Sequence, residues 1–134
     1  MKPPRPELHT YFDKEQGERV FYACEQLEFD NGEVLVVIPK LFISDGLSIP
    51  RIFQNVISKS PFFIFAGILH DYLYKVNPCK QMKRKQADKL FLAWMKIYGV
   101  GWIKRHTIYR SVRIGGRGSW KKKFAKFATN THHD

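Results

Sequence analysis

The chain has 134 residues, of which 44% are hydrophobic and 15% aromatic, enough apolar material to enclose one core and so to predict a single domain. Its formal charge is +11, but residues 1–50 carry 5 basic and 9 acidic side chains, residues 51–100 carry 9 and 2, and residues 101–134 carry 9 and 1, so the last two-thirds predict a basic face suited to the phosphates of lipid or nucleic acid. Cys24 and Cys79 lie far apart, which excludes a disulfide scaffold and a cysteine zinc framework, and the most apolar stretch, Pro61 to Leu69, is about half the length needed to span a bilayer.

Residues 1–7 hold Pro3, Pro4 and Pro6 with two basic residues and no apolar run, so they do not read as a secretory signal and are expected to form a flexible tail. Arg19 to Phe29 and Val34 to Ile38 are rich in β-branched and aromatic side chains, and Asp30-Asn31-Gly32-Glu33 between them has turn chemistry, predicting a small β-hairpin. Pro39 closes the second strand, and Ser44-Asp45-Gly46-Leu47-Ser48-Ile49-Pro50 reads as a loop. Ser60 before Pro61 is a helix-start signal, and the run from Phe62 to Val76 predicts a buried helix ended by Asn77-Pro78. A second helix is expected from about Met82 to Tyr98, with Ala87, Leu90, Phe91, Trp94 and Ile97 at three- and four-residue spacing, packed antiparallel to the first. A third should run from Trp102 to about Ile114 and meet a flexible joint at Gly115-Gly116-Arg117-Gly118. The expected fold class is mainly α with a small β-hairpin (α+β), with one globular domain over residues 8–118 and a basic tail over 119–134.

From position 46 to 133 the chain uses eighteen basic residues and two acidic ones, and both acids, Asp71 and Asp88, fall on the two predicted central helices, Asp71 beside His70. Neighbours on a helix diverge by about 100°, so His70 and Asp71 cannot serve one atom directly. One arrangement has His70 facing across to Asp88, whose carboxylate would fix the tautomer and stabilise the imidazolium. Asp71 would then face the loop of Asp45, Gly46 and Leu47, where carboxylate and backbone carbonyl oxygens suit Ca²⁺. A base, its orienting carboxylate and a cation are the equipment for ester hydrolysis by an activated water. Structural readings stand beside these: Asp88 can pair with Arg84 four residues back, Asp45 can be a turn residue, and Tyr74 can be a core aromatic.

Two resemblances rest on these residues. Ile38-Pro39, Ser44 to Arg51, His70-Asp71-Tyr72-Leu73-Tyr74, Arg84 with Ala87-Asp88 and Phe91, and Tyr109 with Val112-Arg113 together resemble a phage and prophage domain of unknown function, over about residues 20–120. More distantly, His-Asp with a Tyr three residues after the Asp, and an Asp on the next helix followed by Phe three residues later, is similar to the two catalytic helices of phospholipase A2, especially the small prokaryotic and fungal enzymes. That likeness implies an antiparallel helix pair in which His70 activates water, Asp88 orients His70, Tyr74 supports Asp88, and Asp71 with the Asp45 loop binds calcium. It also implies attack on the sn-2 ester of a glycerophospholipid.

In the tail, Trp120, Phe124 and Phe127 recur at helical spacing among Lys121, Lys122, Lys123 and Lys126, a basic amphipathic pattern suited to anionic lipid, to packing on the domain or to nucleic acid. The leading expectation is a phage-type, calcium-dependent, phospholipase A2-like esterase. It would be made in the host cytoplasm and act at an anionic membrane surface or with a virion component. The alternative is a non-catalytic basic phage protein that binds nucleic acid or a virion partner. A metal-dependent phosphohydrolase ranks low, because His9 and His106 lack ligand-like spacing to His70.

Overall fold

The structure is a computed structural model that describes residues 3–15, 17–44, 62–76 and 82–131, with side chains beyond Gly116 described for Trp120 alone. Strands β1 (His9–Asp13) and β2 (Glu18–Tyr22) form one antiparallel hairpin, and β3 (Leu27–Asp30) and β4 (Leu35–Ile38) form another. Three helices follow: α1 (Phe63–Val76), α2 (Arg84–Ile97) and α3 (Trp102–Thr131).

The result is an α+β fold with two small hairpins where one was expected. The apolar run Arg19 to Phe29 is not one strand: the chain bends at Cys24-Glu25, so its first half pairs back onto His9–Asp13 and its second half pairs forward onto Leu35–Ile38. In β3 and β4 the side chains alternate with period two, Leu27, Phe29, Val36 and Ile38 turning inward and their neighbours outward. The turn between them is held by its own side chains. Asp30 Oδ1 accepts from the Gly32 amide, and Asn31 Oδ1 accepts from those of Glu33 and Val34, each at 2.9 Å. Gly32 has φ +91°, a conformation that disfavours any side chain.

After β4 the chain reverses at Pro39–Leu41 and returns along β2, where Ser44 and Phe21 exchange backbone hydrogen bonds of 2.7 and 2.9 Å. This return delivers Ile43 and Ser44 to the C-terminal end of α1, where Phe42 packs edge-on against Tyr72 and Lys75 donates to the Ile43 carbonyl.

Helix α1 is buried around almost its whole circumference, which explains why its sequence is apolar without a clear stripe. Helix α2 has a stripe: Ala87, Asp88, Leu90, Phe91, Trp94 and Met95 are buried while Lys85, Lys89 and Lys96 face out. It ends where Gly99, at φ +87°, lets Gly99 and Val100 donate back to the carbonyls of Lys96 and Met95. The inner face of β3–β4 closes the core against the helices, with the Phe29 ring edge-on to Trp94 at 5.1 Å and both side chains fully buried.

Two segments depart from the sequence-based expectation. The N-terminal segment read as a tail is attached along residues 4–6: the Tyr98 hydroxyl donates to the Pro4 carbonyl, the Arg5 guanidinium lies 4.3 Å over the Phe62 ring, and Pro6 is buried. Helix α3 does not stop at Ile114 but runs through Gly115-Gly116-Arg117-Gly118 to Thr131, so the expected joint is helical. The helix-start signal at Ser60-Pro61 and the Asn77-Pro78 stop lie outside the described residues.

The Phe29–Trp94 contact ties the second hairpin to the helices. Phe29→Ala is expected to cost about 3–5 kcal/mol in urea unfolding, whereas Phe12→Ala, on the exposed face of β1, should change stability by no more than about 0.5 kcal/mol.

Candidate functional site

Asp88 is the centre of the polar interior. It sits on the buried stripe of α2 among Ala87 and Phe91 and has no solvent exposure, so its carboxylate must find all its partners inside the protein. Four donors from three helices supply them. His70 Nε2 lies 2.7 Å from Asp88 Oδ1, and the Tyr74 hydroxyl donates to the same oxygen at 2.6 Å. Arg113 Nη1 donates to Oδ2 at 2.8 Å and Arg84 Nη1 at 3.4 Å. His70 and Tyr74 are four residues apart on α1, with ring centroids 4.1 Å apart, so one helical turn aims both at the same carboxylate oxygen. Phe91, one turn along from Asp88, also packs against the imidazole with a centroid separation of 4.6 Å.

Burial alone would raise the Asp88 carboxyl, but the hydrogen bonds from His70, Tyr74 and Arg113 outweigh it and hold the group below the ordinary carboxylate range. Burial pushes the Tyr74 hydroxyl well above its usual value and the bond to Asp88 adds to that, so Tyr74 remains a donor. An ionised carboxylate only accepts, so the imidazole nitrogen facing it, Nε2, carries the proton, and a neutral His70 has its lone pair on Nδ1.

Helix α3 completes the arrangement. Arg84 reaches past Asp88 to the carbonyl oxygens of Val112, at 3.1 Å, and Arg113, at 3.0 Å, groups that the α3 helix would otherwise turn only toward its own amides. This close approach needs Gly116. A Cβ there would lie 2.8 Å from the Tyr74 hydroxyl and 3.2 Å from Arg84 Nη1, whereas a Cβ on Gly115 would meet nothing within 4 Å. One turn further on, Trp120 is half-buried with its ring edge-on to Tyr74 at 5.0 Å, so it packs on the domain beside the site. Lys121, Lys122, Lys123, Phe124 and Lys126 lie farther along the same helix.

The second acid is separate from the first. Asp71 is buried and faces Lys75, whose ammonium lies 3.1 Å from Asp71 Oδ2 and 3.4 Å from the Ile43 carbonyl oxygen. Asp45, Gly46 and Leu47, expected to share a cation with Asp71, lie outside the described residues. Among the described residues, no group of three or more His, Cys, Asp or Glu side chains comes together in a way that could hold a metal ion.

Of the residues singled out in sequence, the structure therefore joins His70, Tyr74 and Asp88 at one point and places Asp71 with Lys75 at another. Sequence reasoning missed Lys75, Arg113 and Gly116 as parts of the site. Lys75 was readable as an i+4 partner of Asp71, as Arg84 was for Asp88 at i−4, but Arg113 and Gly116 reach the site only through the packing of α3.

A family model described as "Protein of unknown function (DUF1353)" matches residues 16–112. The chain belongs to that family. The match includes every partner of Asp88 up to α3 and stops just before Arg113 and Gly116. Neither a curated protein nor a solved structure matches the chain. No helix among the described residues is long and apolar enough to cross a membrane.

Three measurements test this geometry. Gly116→Ala should destabilise the protein by about 1–2 kcal/mol despite the helix propensity of alanine, while Gly115→Ala, with open space around it, should stabilise it by about 0.5–1 kcal/mol. Asp88→Asn leaves two arginines without their counter-charge and is expected to cost about 3 kcal/mol at neutral pH, the low end of the range for a broken buried pair because Arg113 is partly exposed. A carboxyl held below its ordinary value adds stability that is present above the ordinary carboxylate range and drains away as the pH falls through the lowered value. Unfolding midpoints of the unmodified protein should therefore fall on acidification below about pH 4, and those of Asp88→Asn should fall less.

Proposed function

We propose that the His70–Asp88 pair is the base and orienter of a phospholipase A2-like hydrolase that cleaves the sn-2 ester of a glycerophospholipid, in a phage-type protein. The observation that carries this reading is the 2.7 Å contact between His70 Nε2 and an Asp88 carboxylate that Tyr74, Arg84 and Arg113 also hold in place. A carboxylate so fixed keeps the imidazole in one orientation and one tautomer.

In this mechanism His70 Nδ1 takes a proton from water as the oxygen adds to the ester carbonyl carbon. The imidazolium that forms is stabilised by Asp88 at Nε2. The tetrahedral intermediate then collapses, the bond to the glycerol oxygen breaks, and that oxygen takes the proton back from Nδ1. Fatty acid and lysophospholipid leave, and the dyad is restored.

The donors near Asp71 are a carboxylate and a backbone carbonyl, oxygen atoms of the kind a hard cation takes, and they already attract the Lys75 ammonium. Asp71, with oxygens of the Asp45-Gly46-Leu47 loop, would hold calcium, which when bound supplies positive charge to polarise the ester carbonyl. Lys75 competes for the same carboxylate. Removing it in Lys75→Met is expected to tighten calcium binding by up to about fivefold in calorimetric titration, the scale of about 1 kcal/mol for an ion pair with a partly exposed lysine.

A second reading is favoured by burial: His70 is only 2% exposed and Asp88 not at all, as suits a polar clasp in a non-catalytic basic protein that binds nucleic acid or a virion partner. The readings separate in one experiment. Phosphatidylglycerol vesicles with calcium should release fatty acid, release should stop with chelator, and His70→Gln should lose at least about 10²-fold of the rate while remaining folded by circular dichroism. Release that is absent from the unmodified protein, or unchanged in His70→Gln, would leave the clasp reading standing.

A further inference from the structure

A second polar feature lies where the outer surfaces of α2 and α3 meet. Lys89, Leu92 and Lys96 on α2 and Arg105, His106 and Tyr109 on α3 line an open groove of about 470 Å³. None of the lining side chains is acidic. Among the described residues, none of Lys89, Lys96 and Arg105 takes part in an ion pair, in contrast to Lys75, Arg84 and Arg113. The groove is also partly preformed: Arg105 Nη1 is tied to the Val100 carbonyl at 3.1 Å, and the His106 ring lies against Trp102 in a tilted contact with centroids 4.7 Å apart. Such a groove complements a phosphate ester.

The rim identifies the kind of phosphate. Trp102 is 64% exposed and Ile103 73% exposed at the start of α3, and Ile114, 84% exposed, lies about three turns further along the same face as Ile103. Isoleucine side chains held in water on the helix that carries Arg105 and His106 gain nothing from a nucleic-acid backbone but do gain from the acyl boundary of a bilayer, and tryptophan favours the headgroup level.

We infer that the α2–α3 groove is a docking site for the phosphate headgroups of an anionic phospholipid surface, with Trp102 and Ile103 entering the interface beside it. It differs from the basic pattern after Trp120 in both its residues and its place on the helix. It deepens the hydrolase reading by naming the surface that would present the substrate, but it is tested by binding and not by turnover, so either can fail alone.

The test is sedimentation of the full chain with vesicles of phosphatidylcholine alone or mixed with phosphatidylglycerol, with free phosphate as competitor and a single-stranded oligonucleotide in parallel. Binding is expected only with phosphatidylglycerol. Lys89→Ser combined with Lys96→Ser, both at exposed positions, should lower the partition coefficient roughly tenfold to thirtyfold, the factor for two basic residues near an anionic surface. Ile103→Ser should lower it without altering competition by salt, and Trp102 fluorescence should shift to the blue on binding. Equal binding by the lysine variant and the parent, or binding of the oligonucleotide in place of vesicles, would overturn the assignment. So would displacement by millimolar free phosphate, which would mark a soluble phosphate ester as the ligand.

Discussion

A carboxylate with no access to water sits on the middle helix of this fold, and most of the architecture around it follows from the need to satisfy it. An ionised side chain taken out of solvent costs several kcal/mol unless its oxygens are fully bonded and its charge opposed. Asp88 meets both conditions by drawing on three helices: α1 gives His70 and Tyr74, α2 gives Arg84, and α3 gives Arg113. None of these helices can shift by a turn without stranding the charge. The apolar core supplies the bulk of the driving force for collapse, but the requirement at Asp88 selects the register in which the helices meet.

Arg84 carries that selection from one side chain to a whole helix. Its guanidinium opposes Asp88 and also donates to two α3 carbonyls, so α3 is held against α2 through its backbone as well as through Arg113. Backbone can come that close only where there is no side chain. Gly116 provides the gap, at a cost to helix stability of about 1 kcal/mol relative to alanine, and the contacts of Tyr74 and Arg84 in that gap offset it. Read locally, consecutive glycines signal a break; here one of them, Gly116, marks where a helix is pressed onto its neighbour.

That contrast explains which features were legible in sequence. The β-branched and aromatic richness of Arg19 to Phe29 and Val34 to Ile38, the turn residues between them and the apolar spacing on α2 are local signals, and a hairpin and a helix form there. The facing of His70 toward Asp88 was also readable, because a scarcity of acids leaves few partners for a buried histidine. Strand β1 was not readable: its side chains are mostly exposed, and it exists because Val20 and its neighbours offer a pairing edge once the chain bends at Cys24-Glu25. Arg113 and Gly116 escaped for the same reason, since their partners lie far away in sequence and no periodicity links them.

The two acids also explain one another. Both central carboxylates are buried, yet Asp88 is enclosed by a histidine, a tyrosine and two arginines, whereas Asp71 pairs with the partly exposed Lys75 at the place where the chain returns from the hairpins. Between residues 46 and 133 the chain has eighteen basic side chains and no third acid, so no other carboxylate in that stretch competes for Arg84, Arg113 or Lys75. Adding an acid near Arg84 or Arg113 would offer those cations a solvated partner and leave Asp88 short of donors, a loss larger than any surface ion pair returns. The basic excess is thus a consequence of protecting one buried negative charge as well as a source of attraction for phosphates. The same scarcity that keeps Asp88 correctly paired leaves Lys89, Lys96 and Arg105 without an ion pair among the described residues, so charge of the opposite sign is left to another molecule.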